Sequence, residues 1–308
     1  MKTLVLDPMP DRFWSLIKER HLEKYFTSDQ NNSNIEIIII RTKTFLSSKY
    51  LEKYSELKLI IRAGSGFDNI DLQETIKREI IVCTTPDSNA QAAFEHTISL
   101  ILSLIKQHLT GKNQILKGKW KDGLKPCWEI TDIKALIVGV GRIGSKVGKF
   151  LQTMGAEVKG VDPFLTPSEW EQRKIIETDY VTGIRWCNLI TYHCPLYNQT
   201  RDYFSKKTLD EIADSIWLIN TARGGILNED AVKAGLRAGK ILGLGIDVFA
   251  KEPVPTRDYF FKDNVLITPH IGAHTQNAKN RLILDTLEVW SEFVFNNKII
   301  NQIDYNFI

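Results

Sequence analysis

At 308 residues the chain is longer than one ordinary hydrophobic core fills, so two domains are expected. Hydrophobic residues at 43% and charged residues at 25% exclude a disordered or fibrous chain. The formal net charge of +3 gives no reason to expect nucleic acid or a membrane surface as partner.

Four cysteines, Cys83, Cys127, Cys187 and Cys194, form no CxxC pair and no metal-ligand spacing. They read as free thiols of a reducing compartment, and no metal is expected. The N-terminus reaches Asp7 too soon for a secretion signal. The most apolar short run, 35–40, contains Glu36 and is far below membrane-spanning length. These features describe a soluble, cytoplasmic chain.

In chain order, short apolar runs alternate with helical stretches, the pattern of an α/β chain with mostly parallel sheets. Residues 3–6, 35–40, 57–61 and 80–82 read as buried strands. Asp71 with Glu74 opens a helix. From 89 to about 107, Phe94, Ile98, Leu100, Ile101, Leu102, Leu104 and Ile105 make a helix apolar nearly all round. Such a helix is buried on several sides, as a link between domains or in a subunit interface. The polar, basic stretch 110–131 reads as a loop. Its Trp120 and Trp128 either mark a contact surface or tuck onto the chain's own core.

A second α/β series begins at Lys134. Strands are expected at 135–138, 157–161, 189–193, 216–220, 242–247 and 265–268, with a helix at 144–154. Thr166, Pro167 and Glu169 form a helix-start signature, Asn228 opens a helix that Gly239 can close, and a last helix runs from about 275 to 295. The architecture expected is two doubly wound parallel-sheet domains, the second inserted into the first. The first covers 1–96 and 282–308, the second 97–281.

Candidate chemistry gathers at the expected strand ends. Gly139, Gly141 and Gly144 follow a strand and open a helix. Glycine at those positions allows a tight turn, a close approach of backbone to a pyrophosphate, and close packing of helix on strand. The Arg142 and Ile143 amides then lie at a helix N-terminus, where a phosphate is favoured. Asp162 ends the next strand, where a carboxylate accepts from ribose hydroxyls and repels a 2′-phosphate, so the cofactor expected is NAD rather than NADP. Oxidising a hydroxyl to a carbonyl also needs a general base, a group to orient that base, and a cation for an acidic substrate. His270, Glu252 and Arg223 are the candidates. Each alone could be structural; together they sit on successive strand ends of one sheet, where such folds place ligands.

With those motifs the chain resembles the D-isomer-specific 2-hydroxyacid dehydrogenases. The matching runs are 139–144 with Asp162, His193-Cys194-Pro195-Leu196, 220–225, Asp247-Val248-Phe249 with Glu252-Pro253, 268–272 and 62–71. The resemblance implies a Rossmann NAD-binding domain inserted in a flavodoxin-like substrate domain. It makes His270 the acid/base, Glu252 its partner and Arg223 the substrate clamp. Asp247 would hold the nicotinamide carboxamide; Thr221, Ala222 and Gly272 would lie along the cofactor; and Cys194, Pro195 and Thr200 near its adenosine half. The segment 97–130 would be the arm of a homodimer. The chain departs from the family at His274, where relatives commonly carry a small hydroxyl residue, and across 166–179, which matches poorly.

Gly64, Ser65 and Gly66 can turn backbone amides toward an anion, and by the resemblance they hold the substrate carboxylate. Arg62 directly precedes them, and Arg62-Ala63-Gly64 looks like the phosphoglycerate dehydrogenase branch. Arg41 and Lys43 could add charge at the same mouth, although basic strand ends also serve solubility alone. The expected substrate is thus a small anion, 3-phosphoglycerate. Hydroxypyruvate or glyoxylate reduction is the alternative within the class, and an NADH-sensing corepressor-like scaffold the alternative outside it. Glu252 argues against a formate dehydrogenase. No regulatory domain is expected after residue 308.

Overall fold

The computed structural model describes residues 1–305, the side chain of Phe261 excepted. It divides into two compact units, Met1–Ala90 with His274–Ile308, and Gln91–Ala273. The boundaries fall where long helices begin, at Ala90 and just before Gln276, whereas the sequence suggested 96/97 and 281/282. Each helix then belongs to one unit nearly from its first turn.

The first unit is built on a five-stranded parallel sheet of β1 (Thr3–Val5), β2 (Phe26–Thr27), β3 (Ile37–Ile40), β4 (Leu59–Arg62) and β5 (Ile81–Thr84). Its strand order, β2-β1-β3-β4-β5, is the flavodoxin order. Burial on both faces explains the near-continuous apolar runs. Within Ile37–Ile40, Ile37 and Ile39 enter one core and Ile38 and Ile40 the other. The first core also takes Ile283, Leu287, Trp290 and Phe293 of the C-terminal helix Gln276–Asn296, while Leu284 on its other side is exposed. Trp290 donates its indole N–H to Thr3 Oγ1 at 2.8 Å, tying the end of the chain to its first strand.

The second unit carries seven parallel strands: β6 (Lys134–Val138), β7 (Glu157–Val161), β8 (Ile176–Glu177), β9 (Leu189–Tyr192), β10 (Ile216–Asn220), β11 (Ile241–Ile246) and β12 (Val265–Ile267). The order β12-β11-β10-β9-β6-β7-β8 is that of a dinucleotide-binding sheet with one strand added. The chain reverses direction across the sheet between β6 and β9, which are neighbours. Leu136 and Val138 face one core, Ala135 and Ile137 the other.

Helix starts follow the local chemistry. Asp71, Asn228 and Thr275 accept the amides of Glu74, Ala231 and Ala278, and Thr166 and Glu169 close a reciprocal capping box. Gly239, in the left-handed region at φ 72°, ends the Glu229–Ala238 helix.

Three features depart from the sequence reading. The 110–131 stretch is not all loop, because His108–Leu116 is helical. Gln107 at φ 52° breaks it from Ala90–Ile105, and Asp263 fastens it through Thr110 Oγ1 (3.1 Å to its carbonyl) and Asn113 Nδ2 (2.7 Å). These are tertiary anchors that no apolar period announces. The two tryptophans of that stretch part company: Trp128 packs edge-on against Trp217 at 6.1 Å, whereas Trp120 is 69% exposed. The two-residue strands β2 and β8 are sheet edges too short to leave a pattern. Among the described residues no helix is long and apolar enough to cross a membrane.

Leu218 is fully buried in the central strand β10. Leu218→Ala should cost about 2–5 kcal/mol of stability, seen as a lower denaturation midpoint of the second unit.

Candidate active site

Parallel pairing puts the carboxyl ends of all seven strands of the second unit on one edge. Gly139 follows β6, Asp162 follows β7, and His193 and Cys194 follow β9. Arg223 lies beyond β10, Asp247 and Glu252 beyond β11, and His270 beyond β12. The candidate cofactor and acid–base residues therefore share one rim, centred on the β6/β9 reversal where doubly wound sheets open a crevice.

The glycine turn shows what each glycine is for. Gly139 has φ 89°, and a Cβ there would stand 2.6 Å from the Cys194 amide nitrogen. A Cβ on Gly144 would lie 1.9 Å from the Gly139 carbonyl oxygen. Both are demanded by the chain's own packing. Gly141 differs, since a Cβ on it would meet nothing within 4 Å. It starts the Arg142–Thr153 helix with no side-chain cap. Open space beside a helix N-terminus fits a pyrophosphate.

Asp162 braces this turn. Its Oδ2 accepts the Val140 amide at 2.9 Å and its Oδ1 the Phe164 amide at 3.2 Å, and each oxygen retains a lone pair for a ribose hydroxyl. Arg173 Nε donates to the Val140 carbonyl at 2.7 Å. Sequence reasoning missed this residue, which lies in the 166–179 stretch where the family likeness is poorest.

Across the turn, Thr200 Oγ1 donates to the Pro195 carbonyl (2.7 Å) and accepts the Tyr197 amide (2.9 Å), folding 195–200 into a compact wall. Burial pushes the Cys194 thiol up to about 12 and the His193 imidazole down to about 3, so both stay neutral at this rim. Thr221 Oγ1 lies 2.7 Å from Thr97 Oγ1, and the Ala222 amide donates to Asn220 Oδ1 at 3.0 Å.

The two residues of the candidate acid–base pair are in direct contact. His270 Nδ1 is 2.8 Å from Glu252 Oε2, and Glu252 Oε1 accepts the Phe249 amide at 2.9 Å. An ionised carboxylate only accepts, so Nδ1 carries the hydrogen and the Nε2 lone pair is left for substrate chemistry. The imidazole is 43% exposed. Its backbone is left-handed, φ 53°, held by its amide on the Asp247 carbonyl at 2.8 Å.

The Asp247 carboxylate turns inward to this chain. It receives Thr268 Oγ1 (2.6 Å) and the amides of Ile271 (2.8 Å) and Gly272 (2.7 Å), with His96 Nε2 3.4 Å away. His96 and Thr268 were not singled out from sequence; a lone histidine in an apolar helix carries no signal of its own.

Arg223 opens the turn after β10. Its Nη1 donates to the Ala222 carbonyl (2.7 Å), and buried Asn220 donates to the Arg223 carbonyl (2.8 Å). A Cβ on Gly224 would fall 1.9 Å from the Phe249 carbonyl carbon, so glycine is what lets this turn meet the 247–252 segment.

In the first unit, Arg62 ends β4 and Ile40, its register partner on β3, directly precedes Arg41. Arg62 is buried, and its guanidinium lies over Gly64 where a side chain would otherwise stand. Gly64, at φ 131°, donates its amide to Thr85 Oγ1 at 2.6 Å. Among the described residues, no backbone carbonyl accepts from the Ser65 or Gly66 amides. Arg41 donates Nη1 to the Pro8 carbonyl, and the amides of Arg41 and Lys43 share Asp7 Oδ2. His274 is exposed beside the Thr275 cap.

Residues 98–272, more than half the chain, match the family described as D-isomer specific 2-hydroxyacid dehydrogenase, NAD binding domain. The chain belongs to this family. It therefore carries an NAD-binding domain, and the glycine turn with Asp162 fits that cofactor.

The chain is 30% identical over 287 residues to D-3-phosphoglycerate dehydrogenase of Archaeoglobus fulgidus, covering 91% of this chain and 54% of that protein. It is 30% identical over 270 residues to the Bacillus subtilis enzyme of that name, covering 87% and 51%. The chain thus spans about half the length of these curated relatives. Among solved structures, D-lactate dehydrogenase from Aquifex aeolicus, complexed with NAD and lactic acid, superposes with a TM-score of 0.86 at 25% identity over 96% of each chain. A glyoxylate reductase from Paecilomyes thermophila reaches 0.87 at 19% identity over 99% of each, a likeness of fold.

The two glycine roles separate experimentally. Gly141→Ala should leave the denaturation midpoint unmoved and weaken NADH binding about tenfold or more, roughly 1.4 kcal/mol. Gly144→Ala should lose both stability and binding. NADH affinity unchanged in Gly141→Ala would remove the pyrophosphate from that turn.

Proposed function

We propose that the protein is an NAD-dependent D-2-hydroxyacid dehydrogenase acting on 3-phosphoglycerate and 3-phosphohydroxypyruvate. The observation that carries the chemistry is the 2.8 Å pair of His270 Nδ1 and Glu252 Oε2 on the rim that also bears the glycine turn. The bound nicotinamide supplies the hydride acceptor or donor at the carbinol carbon.

The chain's residues do the rest. His270 Nε2 takes the hydroxyl proton in oxidation and returns it in reduction, and Glu252 offsets the charge that the imidazole gains. Arg223 clamps the substrate carboxylate and polarises the carbonyl. Asp162 favours NAD over NADP, because a 2′-phosphate would meet its carboxylate.

The phosphorylated substrate is supported by Arg62, buried and laid over Gly64, by Arg41 at the neighbouring strand end, and by the relatives at 30% identity. A homodimer is supported by Ile115, Leu116 and Trp120, all more than half exposed on the 108–124 segment. Four free cysteines suit a reducing cytoplasm.

Initial rates of NADH oxidation with 3-phosphohydroxypyruvate, hydroxypyruvate, glyoxylate and pyruvate test the substrate. The phosphorylated acid should show the highest kcat/KM. Arg62→Ala should raise its KM about tenfold or more over any change for pyruvate, as loss of a charged hydrogen bond costs about 1.5–3 kcal/mol. A preference for hydroxypyruvate or glyoxylate would leave Arg41 as a surface cation and Arg62 as a buried brace of the Gly64 turn. Tight NADH binding without turnover would favour an acid outside these four or a sensing scaffold. His270→Gln tests the base: kcat should fall about 100- to 10,000-fold with NADH affinity retained.

A further inference from the structure

Beneath the acid–base loop runs a chain of polar contacts in which the hydride chemistry gives His96 and Thr268 no role. It starts at His96 on the Ala90–Ile105 helix, passes through Thr268 at the end of β12, and ends on the buried carboxylate of Asp247. His96 Nε2 is 3.0 Å from Thr268 Oγ1, and that oxygen is 2.6 Å from Asp247 Oδ1.

Proton count fixes the direction of this chain. A threonine hydroxyl has one hydrogen, and an ionised carboxylate can only accept. Thr268 therefore donates to Asp247 and accepts from His96, so His96 carries its hydrogen on Nε2. That N–H also lies 3.4 Å from Asp247 Oδ1. Burial alone would push the Asp247 carboxyl up; donors from His96, Thr268, Ile271 and Gly272 overcome it and hold the group below its ordinary value.

What Asp247 holds is the acid–base loop itself. Its Oδ1 and Oδ2 take the amides of Ile271 and Gly272, and its main-chain carbonyl takes the amide of His270, whose φ of 53° needs such over-determination. The packing leaves no slack. A Cβ on Gly272 would stand 2.9 Å from Asp247 Oδ2 and 3.5 Å from His96 Cδ2.

We propose that His96 is a positioning residue for the acid–base loop, orienting the Asp247 carboxylate through Thr268 so that the 270–272 backbone presents His270 to substrate. The proposal rests on the dehydrogenase reading for its catalytic consequence, and on the hydrogen-bond chain alone for its structural one. His96 touches neither substrate nor cofactor in this role. Without its N–H, the Thr268 oxygen loses a donor and the buried carboxylate loses part of its support, so the loop amides open more often.

Two variants of the full chain test this. His96→Leu fills the space without a donor; His96→Gln restores an amide N–H at similar reach. Amide hydrogen exchange at Ile271 and Gly272, the NADH Kd, the denaturation midpoint and kcat are measured for both. His96→Leu should speed exchange of the two amides and lower kcat, each by about tenfold, with NADH Kd within about twofold. His96→Gln should recover most of both.

Unchanged amides in His96→Leu would overturn the proposal. So would equal defects in the two variants, or a fall in midpoint and NADH affinity that matches the fall in kcat. Should the wild-type protein turn over none of the four acids, the proposed substrate fails, and exchange at Ile271 and Gly272 still decides the role of His96.

Discussion

The parallel ladder of the second unit is the constraint on which its site depends. Parallel strands run in one direction, so every strand delivers its next loop to the same edge. Seven loops then compete for one rim, and the chemistry each can contribute is set by the residues just past its last paired position. Val138, Val161, Ile246 and Ile267 end their strands as apolar residues of the pleat, and Tyr192 and Asn220 as buried ones. Their successors differ in kind: a glycine turn, a carboxylate, a neutral wall, a cation, a buried acid and a histidine. The sheet contributes geometry and the loops contribute charge.

On that rim, buried and exposed groups divide the work. Asp247, Asn220 and Thr200 are nearly inaccessible and spend their hydrogen bonds on the backbone of their own or neighbouring loops. Glu252, His270 and the start of the Arg142–Thr153 helix are accessible, and keep lone pairs, protons or amides for a ligand. A buried charge is costly unless donors saturate it, and once saturated it is held rigidly in place. A proton that must move needs a group with one partner fixed and one face free. His270 has that form, with Nδ1 tied to Glu252 and Nε2 bonded to none of the described residues.

Much of this was legible in the residues because period and punctuation coincide. The Ile37–Ile40 and Ile216–Asn220 strands announce themselves as apolar runs too short for helices. Asn228 and Gly239 bracket a helix by their own chemistry. The glycine turn was legible because steric demands at Gly139 and Gly144 admit only one residue type. What stayed hidden depends on contacts far along the chain. The His108–Leu116 helix is anchored by Asp263, about 150 residues later, and the His96–Thr268 contact spans 172 positions. Arg173 supports the glycine turn from a surface helix whose sequence is otherwise ordinary. A side chain that serves as a brace leaves no period, since its partner, not its spacing, defines it.

Gly141 and Gly144 make the same point about function. The two look alike in a fingerprint, yet a Cβ on Gly144 collides with the chain and one on Gly141 collides with nothing. A glycine forced by the protein's own atoms speaks only to the fold. A glycine that those atoms do not require, set at an uncapped helix N-terminus beside a carboxylate that braces the turn, speaks to what the fold receives. Arg62 and Gly64 show the complementary case. There the missing Cβ is filled by a guanidinium of the same chain, so the glycine shapes a cation rather than a cavity, and the cation and its seat are encoded two residues apart.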